Sequence, residues 1–224
     1  MLSPLQEQVA EIIAGLAEAE GFALAGGAAL IVRGDVRRQT RDLDFFGLTA
    51  DAVDRLVPAV DRALHDAGFV VHHVQVNPGF ARLIVESGDD STELDLGADA
   101  RLFPVEPGRL APTLTSEELA VDKVLAVFGR AEARDFVDLM ALEPRYGLDR
   151  LCALATEKDR GFTPTLFAEM LGRFSRLRQK EFGIDAQQYE QLAGEIVRWR
   201  EQALALSQRL EPGQEHERDF GREL

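Results

Sequence analysis

The chain has 224 residues, 39 acidic side chains against 25 basic ones, and a formal net charge of −14. Its hydrophobic fraction of 46% supports a packed core and excludes wholesale disorder, and the acidic balance argues against a general nucleic-acid coat while leaving room for a local basic groove. A single cysteine, Cys152, excludes an intrachain disulfide framework and a cysteine-based zinc cluster.

No apolar run is long enough for a membrane span. The first twenty residues, broken by Glu7, Glu11, Glu18 and Glu20, read as an amphipathic helix and not a signal peptide. A cytoplasmic protein is expected. Apolar side chains at Leu5, Val9, Ile12, Ile13 and Leu16 predict a helix over 5–20, ended by Gly21. Phe22–Ala25 is a short apolar stretch, Gly26-Gly27 reads as a tight turn, and Ala28–Arg33 as a short helix. Leu43–Phe46 predicts a strand. Residues 50–68 are helical in pattern, with Pro58 a candidate kink. Strands are predicted at Phe69–Val76, Phe80–Glu86 and Thr92–Leu96, with turns at Asn77-Pro78-Gly79 and Ser87–Ser91. The prolines of 104–115 suggest a linker. Beyond it the pattern is wholly helical, over 116–129, 131–143, 147–156, 164–180 and 186–209, and the residues from Glu211 read as a polar, frayed tail.

The stretch FALAGGAALIVRGDVRRQTRDLDFF, residues 22–46, carries the chemistry. In a strand, positions i and i+2 share a face, so Asp42 and Asp44 present two carboxylates side by side. Such a pair repels unless a cation neutralises it, and Mg²⁺ uses few carboxylates, sharing its other positions with water and phosphate oxygens. Asp95, in Glu93-Leu94-Asp95-Leu96, is a third candidate, as a metal ligand or a general base. Gly26-Gly27 before a helix lets backbone N–H groups approach an anion. A phosphate cradle joined to carboxylates that hold a metal describes nucleotidyl transfer. Arg38 and Arg41 either hold phosphates or only offset their acidic neighbours. Lys123 lies in an apolar helix, where an unpaired ammonium is costly, and Asp135 and Asp138 share one helix face. The window Arg160–Lys180 has five basic residues and one acidic, Glu169, and is the best candidate to touch an RNA backbone. His72 and His73 have no carboxylate at ligand spacing in the sequence and are assigned no chemistry.

Gly26-Gly27-x-x-Leu30 followed by Arg38-x-Thr40-x-Asp42-Leu43-Asp44-Phe45 resembles the DNA-polymerase-β-type nucleotidyltransferases. More narrowly, with Val121-x-Lys123-x-x-Ala126 and Arg130-x-x-x-Arg134-Asp135-x-x-Asp138-Leu139, it is similar to the AbiEii/AbiGii toxin branch that includes the MenT toxins. The resemblance covers roughly residues 20–142. It implies an α/β (α+β) fold: a mixed-sheet nucleotidyltransferase domain over 1–115, a helical domain over 116–210 that completes the site, and a tail over 211–224. It implies Mg²⁺ at Asp42, Asp44 and Asp95. It implies an NTP bound by Gly26, Gly27, Arg38, Thr40 and Lys123, with Asp42, Asp44, Lys123 and Asp135 in catalysis. The implied acceptor is a tRNA 3′ end, and the implied setting is a toxin–antitoxin pair in which a cognate antitoxin acts, in some relatives by phosphorylating the residue that corresponds to Thr40. The family usually has Ser or Thr after the glycines, where this chain has Ala28. Transfer to a small molecule or a protein, and a nucleotide-binding module without turnover, are the alternatives.

Overall fold

The computed structural model describes residues 1–210; the tail expected from residue 211 lies outside them. The chain divides into two compact units, Met1–Asp122 and the residues from Lys123 onward.

The first unit begins with helix α1 (Pro4–Ala14), where Ser3 and Gln6 form a reciprocal capping box and Pro4 occupies the first turn. The helix stops earlier than its apolar spacing predicts, because Gly15 caps it and a short 3₁₀ turn, Ala17–Ala19, follows. Strand β1 (Ala23–Ala25), helix α2 (Gly26–Arg33) and strand β2 (Asp42–Gly47) come next. Helix α3 (Ala50–Asp66), capped by Thr49, continues through Pro58. Strands β3 (Val70–Asn77), β4 (Phe80–Ser87) and β5 (Asp90–Ala98) complete a sheet of order β1-β2-β5-β4-β3. Among these strands only β2 and β5 pair in parallel, so the sheet is mixed, as the family resemblance implies.

Alternation sets the two faces of this sheet. Leu43, Phe45, Leu83, Val85, Leu94 and Leu96 are buried on one face, covered by α1 and α3 through Val9, Ile13, Leu56 and Val60. Each such side chain taken from water contributes roughly 1.5–3 kcal/mol. The opposite face carries the polar residues of β2, β4 and β5. The segment 104–115 is pinned rather than free. Leu24 donates to the Pro112 carbonyl at 2.8 Å and accepts from Leu114 N–H at 3.0 Å, so this segment satisfies the outer edge of β1.

Helix α4 (Ser116–Gly129) runs across the division between units. In the second unit follow α5 (Ala133–Tyr146), α6 (Leu148–Lys158), α7 (Pro164–Leu171) and α8 (Ala186–Leu210). The single helix expected over 164–180 is instead α7 and two 3₁₀ turns, Gly172–Arg176 and Gln179–Glu181. Gly172 ends α7, and Phe174 enters an aromatic cluster with Phe136 at 5.8 Å, Phe182 at 5.1 Å and Tyr189 at 5.3 Å between ring centres. Of the four side chains of this last helix whose sequence pattern reads as core, Trp199, Leu192 and Ile196 are buried and Leu206 is half-buried. Burial pushes the Cys152 thiol up to about 12, so it stays protonated and inert. Among the described residues no helix is long and apolar enough to cross a membrane.

Candidate active site

The site is built where β1 turns into α2. The Gly26-Gly27 pair is the first turn of α2 and not a separate turn. Gly26 has a φ of 56°, a conformation that favours glycine. A Cβ there would lie 1.9 Å from Asp44 Oδ2. The Asp44 carboxylate therefore packs where a side chain at 26 would stand. At Gly27 a Cβ would meet Arg38 Nη2 at 2.7 Å and Thr40 Oγ1 at 3.0 Å, so the loop before β2 folds down onto the second glycine. Gly26, Gly27, Arg38, Thr40 and Asp44 are thus brought together. Ala28 is fully buried and serves packing, which leaves the backbone N–H groups as the donors of this turn.

Asp42 and Asp44 lie on one face of β2, with Leu43 and Phe45 turned into the core. Thr40 Oγ1 donates to Asp42 Oδ1. The Thr40 loop is itself held from α1. Buried Gln6 donates to the Thr40 carbonyl and to Thr92 Oγ1, each at 3.2 Å, and the N-terminal ammonium donates to the Arg38 carbonyl at 2.6 Å. An open cleft of about 630 Å³ lies alongside, lined among others by Met1, Gln6, Thr40, Arg41, Thr92 and Glu93. Arg41 is exposed.

Register aligns a row across all five strands: Ala25, Asp44, Asp95, Arg82 and Gln75. Asp95 is buried at 7% exposure and accepts from Arg82 twice, Nε to Oδ1 at 2.8 Å and Nη2 to Oδ2 at 2.6 Å. Glu93 approaches the same guanidinium at 3.3 Å. The Asp95 hydrogen bonds hold Arg82 above its ordinary pKa against the opposing effect of burial. Sequence reasoning had no role for Arg82. Its signal was the hairpin: the two-residue loop Gly88-Asp89, between the paired Ser87 and Asp90, places Arg82 opposite Asp95.

In the second unit Lys123 is buried at 6% exposure, with its ammonium 3.3 Å from Asp135 Oδ1 and 3.0 Å from Asp138 Oδ2. Of the two partners the sequence leaves open for Asp135, Lys123 and Arg134, it is Lys123 that pairs with it. The other partner is Arg130, bonded through Nε at 2.9 Å and Nη2 at 3.0 Å, whereas Arg134 faces Glu132. Burial pushes the Asp135 pKa up, but the Arg130 hydrogen bonds and the Lys123 charge outweigh it and hold the carboxyl below its ordinary value. His72 and His73 do meet carboxylates that the sequence did not place beside them: Glu86 at 3.2 Å and Asp61 at 2.9 Å.

Among the described residues no group of three or more His, Cys, Asp or Glu side chains is set to hold a metal ion. The chemistry of the Asp42–Asp44 pair nevertheless fits Mg²⁺, which binds through one or two carboxylates and completes its octahedron with substrate phosphates and water.

A model of the family described as "Nucleotidyl transferase AbiEii toxin, Type IV TA system" matches residues 11–213. A search of curated proteins finds no match. Among solved structures, a candidate nucleotidyltransferase from H. pylori is 18% identical over 93% of this chain and 96% of its own, with a TM-score of 0.50. JHP933 from Helicobacter pylori is 19% identical over 94% and 95%, with a TM-score of 0.49.

Proposed function

This chain belongs to the AbiEii family of nucleotidyl transferase toxins and is a nucleotidyltransferase; on that premise we propose that it moves a nucleoside monophosphate from an NTP to the 3′ end of a tRNA, as the toxin of a toxin–antitoxin pair with a cognate antitoxin as partner. The observation that supports this reading best is the packing of Asp44 against Gly26, with Arg38 and Thr40 closed over Gly27. It puts anion donors and carboxylates at one place, as phosphoryl transfer needs.

In this reading Asp42 and Asp44 hold Mg²⁺, which when bound supplies neutralising charge at the phosphates. The backbone of Gly26 and Gly27 and the guanidinium of Arg38 receive phosphate oxygens. Thr40, through its bond to Asp42, fixes that carboxylate's direction, and a phosphate added to Thr40 would replace the bond with repulsion. Asp95, level with Asp44 on β5, is the third carboxylate of this reading. Lys123 is assigned to the triphosphate, its ammonium oriented by Asp135. The acceptor hydroxyl oxygen bonds to the α-phosphorus, the bond from that phosphorus to the bridging oxygen breaks, pyrophosphate leaves, and the hydroxyl proton is released.

The test is incubation with each α-labelled NTP, Mg²⁺ and total RNA. Label is expected in tRNA-sized species and is expected to vanish in Asp44→Asn. Label on protein or small molecules with none on RNA overturns the tRNA acceptor. Undiminished transfer by Asp44→Asn overturns the two-carboxylate mechanism.

A further inference from the structure

Between Thr40 and Asp42 stands an arginine whose head the fold leaves free. Thr40 Oγ1 donates to Asp42 Oδ1, so these two residues share one side of the chain, the side of Asp44, and alternation gives Arg41 the other. The backbone at Arg41 is fixed. Its carbonyl accepts from Thr92 Oγ1 at 3.1 Å and from the Glu93 N–H at 3.2 Å, while Gln6 holds the Thr40 carbonyl at 3.2 Å. The Arg41 side chain is exposed, and among the described residues its guanidinium makes no hydrogen bond and no ion pair. From the sequence Arg41 either holds a phosphate or offsets its acidic neighbours. The second role falls to Arg82, which grips Asp95 and lies 3.3 Å from Glu93. Arg41 is also the one Lys or Arg side chain among the described residues that line the open cleft.

On the tRNA reading above, on which this depends, we propose that Arg41 binds a phosphodiester of the acceptor RNA beside the reacting 3′ hydroxyl, and that the open cleft receives that end of the RNA. A guanidinium on a fixed backbone offers paired N–H donors in the fork that matches phosphate oxygens. The NTP phosphates of that reading lie at Gly26 and Gly27, where Asp44 packs. Arg41 faces the other side of the strand, so the phosphate it takes is not one of these and is supplied by the acceptor. In a chain of net charge −14, an arginine that is not spent on a carboxylate is where a polyanion meets attraction instead of repulsion.

The test measures KM for tRNA and for NTP separately, and the affinity of the full chain for tRNA over a salt series in the presence of a non-hydrolysable NTP analogue. Arg41→Ala is expected to raise KM and Kd for tRNA roughly tenfold, to leave KM for NTP unchanged, and to flatten the slope of log affinity against log salt by about 0.7 to 1. Arg41→Lys, which keeps the charge and loses the fork, is expected to keep the slope and recover part of the affinity. Arg55→Ala, exposed on α3 and outside the cleft, changes the net charge equally and is expected to alter none of these. With tRNA trimmed of its single-stranded 3′ end, the difference between wild type and Arg41→Ala is expected to disappear. A raised KM for NTP with KM for tRNA unchanged assigns Arg41 to the donor and overturns the proposal. So do equal effects of Arg41→Ala and Arg55→Ala, a difference that survives trimming, or no effect of Arg41→Ala while the wild type still labels tRNA. If the wild type labels no RNA, the tRNA reading itself is overturned and the proposal with it.

Discussion

Gly26 is the residue on which the first unit's site turns. Its positive φ and the 1.9 Å that would separate a Cβ from Asp44 Oδ2 mean that Gly26→Ala is strained and must push the Asp44 carboxylate aside. A displacement of about 1 Å at a reacting centre costs on the order of 100-fold in rate. Gly26→Ala is therefore expected to lower kcat by roughly that factor while the far-ultraviolet circular dichroism stays native, because the clash is with a side chain at the sheet's polar face. Unchanged kcat would show that Asp44 does not need this position. From the sequence the glycine pair is expected to face a phosphate. That the chain's own Asp44 carboxylate packs against Gly26 was not legible there, since the antiparallel pairing of Ala25 with Asp44 joins residues far apart along the chain.

At the scale of elements, α4 and α5 are clasped by Lys123 between Asp135 and Asp138, with Arg130 closing the other side of Asp135. Removing one partner of a buried ion pair costs about 3 kcal/mol or more, and Asp135→Asn is expected at the low end because Asp138 still faces Lys123. The folded chain holds the Asp135 carboxyl below its ordinary 3.8. Its contribution is therefore complete above that value and is lost as pH falls through the lower folded value. Urea unfolding is expected to show a clear stability gap between wild type and Asp135→Asn at pH 7 and a narrower gap in strong acid; a gap independent of pH would remove the ionised clasp. The motif Lys123…Arg130…Asp135-x-x-Asp138 was readable as a charged cluster on helices. Which arginine reaches Asp135 was settled by the turn between α4 and α5, where Ala131 takes a φ of 53°. The break of α7 at Gly172 was missed because helical periodicity runs on past it, while the burial of Phe174 with Phe136 and Phe182 rewards a tighter turn.

For the whole molecule the net charge of −14 sets the terms on which an RNA can be held. The tight turns after α7 keep Arg173, Arg176 and Lys180 exposed, while Arg178 pairs with Glu181. Arg173 and Arg176 stand three apart in one 3₁₀ turn, where side chains at i and i+3 eclipse. If this window carries the acceptor's backbone, the triple substitution Arg173→Ala, Arg176→Ala and Lys180→Ala is expected to raise KM for tRNA several-fold with KM for NTP unchanged. It should also flatten the slope of log affinity against log salt by about 2. An unaltered salt slope would place the RNA elsewhere.

Along the chain alone, the succession of helices and strands, the helical region after it and the Asp42–Asp44 pair on one strand face were legible, because local period, i to i+2 alternation and short motifs act within a few residues. The mixed sheet was what the family resemblance implied, and Lys123 or Arg134 stood equally as the partner of Asp135. Tertiary structure alone decided what surrounds those residues. Sheet register put Arg82 on Asp95 and Asp44 on Gly26, and the fold of α1 put Gln6 under the Thr40 loop. The reason is physical: a side chain's charge is local information, but which opposite charge neutralises it depends on pairings between segments tens of residues apart, and those exist only once the sheet has closed.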